Sequence, residues 1–340
     1  MSQTRRAFLK ATLATGAAGK LASGSTAASK PDDVDGMPRR VLGRTKERVT
    51  ILGMGCAYAG GGVSEAHTRA TIEAALAGGV RYFDAAPEYV QAEERLGPVI
   101  KPVRDQVFLV TKSYAHDAKT VEKDLAQALK QLQTDHVDLF LQHGVGLKPI
   151  ATNKQILGKD GSLSFLRKAK ERGLTRFIGM SIHAPHAAAL QLLEASDEWD
   201  VIMPFVNYVS RAQKAAAADI DVRDADVLER KALLPVARRA KLGIVAMKVL
   251  GGHPGKLADD YDRAFRYALS VPGVACALIG ARNVRDVRRA VRAAKAFRPF
   301  TDAEMKQTLR IGEEMVHTRS SEATLLGRHR ERDFGSTRYA

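Results

Sequence analysis

Cysteine is nearly absent from this chain: Cys56 and Cys276 are the only two in 340 residues. They lie far apart, each in or at the edge of an expected strand. They read as buried thiols, and a disulfide-stapled fold is excluded. There is no GxGxxG fingerprint after the first strand. Gly53-Met54-Gly55 with Gly60–Gly62 is a loose glycine cluster that reads as a turn. The nine histidines form no metal pattern, because His183 and His186 are separated by Pro185 and no acidic third ligand accompanies them, so no metal is expected. Long apolar runs are also missing. The stretch Ala11–Ala22 is short and interrupted by Lys20, which excludes a stable membrane span. The net charge of +15 is scattered, without aromatic interleaving or a nucleic-acid motif. No nucleic-acid partner is expected, although an anionic substrate or an anionic surface would suit the charge.

What is present is a series of β-branched or aromatic apolar runs separated by stretches of helical periodicity, the pattern of buried parallel strands in βα units. Eight strands are expected: Val49–Leu52, Arg81–Asp84, Val107–Lys112, Val137–Gln142, Arg176–Ser181, Val201–Asn207, Gly243–Val249 and Ala275–Gly280. Eight such units over roughly 250 residues match a closed α/β (β/α)8 TIM barrel better than an open doubly wound sheet. Val41 and Leu42, before a Gly43–Glu47 turn, form one arm of a hairpin under the barrel floor. A helix over about Ala118–Gln133 carries the stripe Val121, Leu125, Ala128, Leu129 and Leu132. Another begins at Glu93 and Glu94 and is broken at Gly97-Pro98. No linker divides residues 38–316, so the barrel is one domain followed by a basic tail, 317–340. The irregular piece Val209–Asp226 reads as an active-site loop or a short extra helix.

Three of the strands finish on residues that handle protons: Asp84 with Tyr89 five positions on, Lys112, and His143. Ligands of a parallel barrel bind at the carboxyl ends of its strands. Taken singly, Asp84 could cap a helix and His143 could be a packed core histidine. Taken together at matching strand ends, they read as a catalytic set. The segment Phe83-Asp84-Ala85-Ala86-Pro87-Glu88-Tyr89, with Glu94 and Gly97, resembles the aldo-keto reductase signature, and Lys112 and His143 match the rest of that family's tetrad. The resemblance continues through Gly179-Met180-Ser181, Ala246–Gly252 and Ile279–Arg282, and covers about residues 38–315.

The resemblance implies carbonyl reduction, with Tyr89 as proton donor, Lys112 tuning Tyr89, Asp84 holding Lys112, and His143 orienting the substrate oxygen or relaying the proton. The chemistry requires such a set because a phenol, with a reference pKa of about 10, is a weak acid near neutrality. An ammonium about 4 Å away at an effective dielectric near 20 contributes on the order of 4 kcal/mol, or about three pKa units. That is expected to bring Tyr89 towards neutrality, with Asp84 offsetting part of the effect.

The resemblance also implies a nicotinamide cofactor. Barrels commonly bind phosphate after strands seven and eight, where Lys248, Leu250 and Gly251-Gly252 and then Gly280, Ala281 and Arg282 stand. Backbone N–H groups opening the last helix favour an anion. Arg282 is placed for the 2′-phosphate, which indicates NADP(H) rather than NAD(H). Ser181 is expected at the carboxamide with Asn207 assisting, and Met247 stands where many members stack an aromatic ring on the nicotinamide. The family usually has Glu-Asn where this chain has Arg289-Ala290. A related sub-branch carries a C-terminal iron–sulfur segment, but no cysteine follows Cys276, so no cluster is expected. A monomer or weak oligomer acting on a small carbonyl or alcohol substrate is the expected form.

The N-terminus holds a separate signal. Thr4-Arg5-Arg6-Ala7-Phe8-Leu9-Lys10, an Ala- and Gly-rich stretch and small residues around Ser25–Ala28 read as a twin-arginine signal peptide over residues 1–28. The expected partner is the twin-arginine export machinery, and the expected location is the periplasm. Removing residues 1–28, which hold Arg5, Arg6, Lys10 and Lys20 and no acid, lowers the formal charge from +15 to +11. Export raises the question of how NADPH is supplied outside the cytoplasm. Two other readings answer it: a nucleotide-binding sensory protein, or a sugar-isomerising enzyme that oxidises and re-reduces one substrate on bound NADP without net turnover.

Overall fold

Strand alternation decides which side chains fill the middle of this protein. The computed structural model describes residues 33–147, 152–183, 186–209, 233–251 and 257–320. The export segment, the Gly252 position, most of the Val209–Asp226 piece and the Arg-rich tail lie outside them. Eight parallel strands close into a barrel: β4 (Leu52–Gly55), β5 (Tyr82–Asp84), β6 (Phe108–Ser113), β7 (Val137–Val145), β8 (Thr175–Ile182), β9 (Val201–Pro204), β10 (Gly243–Ala246) and β11 (Val274–Ile279). The last strand pairs back onto the first through Ala277–Leu52 and Ile279–Met54. This is the (β/α)8 TIM barrel, and every barrel strand follows the expected order.

Successive side chains on a strand point to opposite faces, so each strand contributes one set to the lumen and one to the helix layer. The lumen cluster holds Tyr82, Phe108, Val110, Leu139, Leu141, Val201, Met203, Val245, Met247, Cys276 and Leu278. Rings of Tyr82, Phe108 and Phe177 stack through its lower layer, with centroids 5.2 and 6.4 Å apart. Intervening residues such as Phe83, Leu109, Phe140 and Ile178 pack outward against the helices. Cys56 and Cys276 are both free and buried.

Below the barrel, β2 (Met37–Val41) pairs antiparallel with β3 (Arg48–Thr50), and β1 (Asp33–Val34) pairs with β2. Leu42, wholly buried, rises from the turn of this hairpin into the lumen cluster. A Cβ on Gly243 would stand 2.7 Å from the Leu42 side chain, so the glycine makes room for the plug. Val49 and Thr50 thus belong to the hairpin rather than to the first barrel strand, which begins at Leu52. Gly53-Met54-Gly55 is not a turn but the body of that strand. A Cβ on Gly53 would lie 2.5 Å from Leu278 and 2.9 Å from Tyr82, and the crowded lumen excludes a larger residue there.

The helix expected to break at Gly97-Pro98 instead runs as α2 (Ala92–Ile100), after α1 (Glu65–Ala77). Pro98 removes one hydrogen bond, but Gly97 lets the helix approach its neighbour closely. A Cβ there would stand 2.4 Å from the Gln131 carbonyl oxygen. That neighbour, α3 (Ala118–Leu132), buries Val121, Leu125, Ala128 and Leu132, and Asp117 caps it by accepting the Thr120 N–H.

Leu42→Ala removes a fully buried plug whose surroundings are held by closed strands. It should lower stability by about 2–5 kcal/mol in urea unfolding.

Candidate active site

Lumen parity carries each strand's inward set upward to a polar residue. Tyr82 leads to Asp84, Phe108 and Val110 to Lys112, and Leu139 and Leu141 to His143. A slip of one residue in any of these strands would send its polar end into the helix layer. Lys112 is 1% exposed and Asp84 4%. The Lys112 Nζ donates to Asp84 Oδ2 at 2.8 Å, to the Ala85 carbonyl at 2.7 Å and towards the Tyr89 hydroxyl at 3.5 Å. All three ammonium protons thereby have partners. Burial pulls the Lys112 pKa down, but Asp84 and Tyr89 outweigh it and hold the group above its ordinary value.

Tyr89 sits in the short 3-10 turn Pro87–Tyr89. Two backbone features position it. A Cβ on Gly60 would collide with the Tyr89 carbonyl oxygen, so the bend after β4 must be glycine at this point. Val90, next in sequence, takes φ 57°, a left-handed conformation costly for a β-branched residue. The expectation that Lys112 brings Tyr89 towards neutrality is not met. Burial pushes its pKa up, Lys112 pulls it down, and Asp84 adds to the rise, leaving the phenol above its ordinary value. Tyr89 therefore keeps its proton.

His143 lies 6.2 Å from the Tyr89 ring, centroid to centroid, and edge-on to it. The Tyr114 ring stacks on its face at 3.8 Å. Gly144, at φ 71°, makes that stack feasible, since a Cβ would stand 2.3 Å from Tyr114. Burial, with Lys112 and Lys248 nearby, holds His143 well below its ordinary pKa, so the ring is neutral. Its Nδ1 lies 3.1 Å from Glu88 Oε2. His183, from the loop after β8, stands 6.1 Å from His143 and packs against Phe205.

The residues expected at a cofactor divide into two groups. Ser181, fully buried, accepts the Gly144 N–H at 2.9 Å and keeps its own hydroxyl proton to donate. Met247 caps the lumen cluster, and Asn207 Nδ2 donates to the Lys248 carbonyl at 2.9 Å. Lys248, itself at φ 53°, acts electrostatically on Asp84, His143 and His183. Leu250 is half-buried, and Gly251, at φ 82°, closes a turn onto the Lys248 carbonyl. Ser181 and Lys248 of this first group therefore adjoin the tetrad.

Arg282 and Ala281 belong to the second group, which lines a shallow cleft with Met54, Gly55, Tyr58 and His67; none of the four tetrad side chains lines it. The Arg282 guanidinium lies over the Tyr58 ring at 4.9 Å, and a Cβ on Gly280 would meet the same ring at 2.8 Å. The helix α9 (Val284–Lys295), counting α4 (Asn153–Ile156), α5 (Ser162–Glu171), α6 (His186–Ala195), α7 (233–239) and α8 (Tyr261–Ser270) before it, differs from expectation at its start. Asp286 accepts the Arg282 N–H at 3.1 Å, and Asn283 accepts the Asp286 N–H at 3.0 Å. Side chains of the first turn thus already meet those donors. Arg289 reaches the Ala258 carbonyl and the Tyr261 ring.

Sequence reasoning missed a polar layer behind the tetrad. Thr111 donates to Glu93, and Ser113 donates to Asp124. Gln142 Nε2 donates to the Ser113 and Ala115 carbonyls, at 3.3 and 3.2 Å, while Ser162 donates to its oxygen at 2.5 Å. The signal was the opposite parity of the same strands: Thr111 and Gln142 flank Lys112 and His143 in sequence. Glu88 and Tyr114 were also missed as partners of His143. Among the described residues, no group of three or more His, Cys, Asp or Glu side chains is arranged to hold a metal ion.

The aldo/keto reductase family model matches residues 51–264. The chain belongs to this family. Among its relatives, L-galactose dehydrogenase of Arabidopsis thaliana is 30% identical over 156 residues, covering 42% of this chain. The aligned part spans 47% of that plant protein, about half its length. The uncharacterized oxidoreductase YqkF of Bacillus subtilis is 23% identical over 315 residues, covering 79% of this chain and 95% of the relative. Among solved structures, the holo form of aldo-keto reductase AKR11C1 from Bacillus halodurans superposes with a TM-score of 0.65 at 21% identity, covering 81% of this chain and 96% of that one. An aldo/keto reductase from Klebsiella pneumoniae, solved with NADP and acetate, gives 0.61 at 21% identity, covering 80% and 95%. At these identities the structures show a common aldo-keto reductase barrel.

Burial raises the Glu93 pKa to about 7, while the Thr111 hydroxyl and Lys112 pull it down. A carboxyl raised in the folded state favours the protonated fold, so its contribution is complete below the ordinary carboxylate pKa and is lost as pH rises to about 7. Glu93→Gln should remove that loss. Urea unfolding at pH values on either side of the window should show wild type losing roughly 3 kcal/mol more than the variant across it.

Proposed function

We propose that this aldo-keto reductase is an NADP(H)-dependent oxidoreductase that interconverts a carbonyl, in an aldehyde, ketone or sugar, and the corresponding alcohol. The observation that carries the reading is the buried chain from Asp84 through the Lys112 ammonium to the Tyr89 hydroxyl, with neutral His143 beside it. The residues suited to hold the nucleotide are Ser181 at the end of β8, Asn207, Met247, Lys248, Leu250 and Gly251 after β9 and β10, and Gly280, Ala281 and Arg282 after β11. The Arg282 guanidinium has no carboxylate within ion-pair distance among the described residues, which suits a phosphate. The NADP bound by the Klebsiella relative supports the same cofactor class. Bound nicotinamide supplies a hydride to the carbonyl carbon or takes one from the alcohol carbon.

The chain's own residues handle the proton. Tyr89, which keeps its hydroxyl proton, donates it to the carbonyl oxygen, and the Lys112 ammonium stabilises the phenolate left behind. Asp84 keeps Lys112 charged against the burial that pulls its pKa down. His143 hydrogen-bonds the same substrate oxygen and orients it. Tyr89→Phe should reduce carbonyl turnover at least about 100-fold while nucleotide affinity, measured by fluorescence titration, stays near wild type. Unchanged turnover removes Tyr89 from the mechanism.

The export signal belongs to the same reading. Arg5-Arg6 with Phe8-Leu9-Lys10 directs a twin-arginine passage to the periplasm, a route that carries folded protein with nucleotide already seated. Replacing both arginines, Arg5→Lys with Arg6→Lys, should retain the protein in the cytoplasm on cell fractionation, and periplasmic recovery of that variant would contradict the signal.

A further inference from the structure

We propose that Val90 and Leu147 form an apolar rim beside the reacting groups, which selects carbonyl substrates bearing an aliphatic or aromatic group over polyhydroxylated ones. The inference rests on the oxidoreductase reading above and deepens it by naming the substrate class. Its starting point is a residue at odds with its own backbone. Val90 directly follows Tyr89 and takes φ 57° with ψ −111°. That combination belongs to the first central residue of a type II′ turn, a place for glycine. A β-branched side chain there crowds its own main chain. The same side chain is 66% exposed, more than any other large apolar residue among the described ones. Exposure leaves the valine little packing to offset the crowding. Strain kept beside a proton donor is explained by a contact that forms with substrate.

Leu147 is its counterpart beyond His143. It closes the turn after that residue, its N–H donating to the Gly144 carbonyl at 3.0 Å, and its side chain is 46% exposed. A Cβ on Gly144 would meet Leu147 Cδ1 at 3.0 Å and the Tyr114 ring at 2.3 Å, so those two side chains stand together. The series is therefore continuous. Val90 leads to Tyr89, Tyr89 to the edge-on His143 ring at 6.2 Å, His143 to the stacked Tyr114 ring at 3.8 Å, and Tyr114 to Leu147. Proton-handling groups occupy the middle of the series and aliphatic ones its two ends. At Gly61 a Cβ would meet only Val90 Cγ2, at 3.9 Å, so the loop after β4 leaves open space beside the valine.

The polar groups nearby are committed elsewhere. Asp84 faces Lys112, and Glu88 faces His143. Lys248 and His183 follow β10 and β8, beside the residues suited to the nucleotide. Sugar hydroxyls laid against Val90 and Leu147 would lose water without gaining those carboxylates as acceptors. An alkyl or aryl group instead covers exposed methyls, and its gain grows with the apolar area removed from water. Contact worth one methylene changes kcat/KM by about tenfold at the lower end of its range.

The test is steady-state reduction of hexanal and of glyceraldehyde by the full chain with NADPH, read as the ratio of the two kcat/KM values. Val90→Gly removes the side chain and relieves the strain, whereas Val90→Thr keeps shape and strain and places a hydroxyl at the rim. The expected result is a fall of about tenfold in the hexanal-to-glyceraldehyde ratio in both variants, carried by KM. Val90→Gly should also unfold at a higher urea concentration than wild type. Leu147→Ser should lower the same ratio. A ratio unchanged in both Val90 variants overturns the proposal, as does a parallel loss with both aldehydes, which would make Val90 a backbone element alone. Binding separates the rim from the reading it rests on. Saturation-transfer NMR of 1-hexanol with the NADPH-loaded protein should show the alkyl chain in contact in wild type and weakened in Val90→Thr. Wild type that binds hexanol in this way yet reduces no carbonyl counts against the oxidoreductase reading and leaves the rim standing, and wild type that binds none overturns the rim.

Discussion

The Lys112–Asp84 ion pair is the constraint on which the upper half of the barrel depends. An ammonium and a carboxylate taken out of water each lose several kcal/mol of solvation, and their attraction repays this only when the remaining protons and lone pairs find partners. Here the ammonium is saturated by Asp84, the Ala85 carbonyl and the Tyr89 hydroxyl. Those three acceptors come from β5 and the turn that follows it, so the charge of one strand dictates the path of the chain after its neighbour. Gly60 behind Tyr89 and the left-handed Val90 are the local adjustments that path requires.

The same strands brace the pair from the other side. Thr111 and Ser113, on either side of Lys112, meet the Glu93 carboxyl of α2 and the Asp124 carboxyl of α3. Gln142, just before His143, bridges the chain after β6 to Ser162. A polar residue at a strand end usually faces water. In this barrel both faces of the strand ends are polar and both are enclosed, which positions the tetrad within hydrogen-bonding tolerance.

Much of this was legible from residue order because a barrel strand has a period of two and a fixed carboxyl end. Asp84, Lys112 and His143 share parity with the apolar residues before them, so the strand pattern alone aims them into one mouth. What was not legible depends on contacts between elements. Gly97-Pro98 looks like a helix stop until the Gln131 backbone is known to pass alongside it. Gly53-Met54-Gly55 looks like a turn until the width of the lumen is known. The rise in the Tyr89 pKa follows from its burial, which no local spacing encodes. Glu88 sits inside the most informative segment of the chain, yet its partner is 55 residues away.

The hairpin beneath the barrel has a further consequence. With Leu42 driven into the lumen and aromatic rings stacked above it, the cylinder is stoppered at one end. Such a vessel has a single doorway, and any two ligands that meet inside must queue for it. Whatever reaches the strand-end residues comes from the open side, so the direction of approach is written into the floor of the barrel, at the end opposite the chemistry.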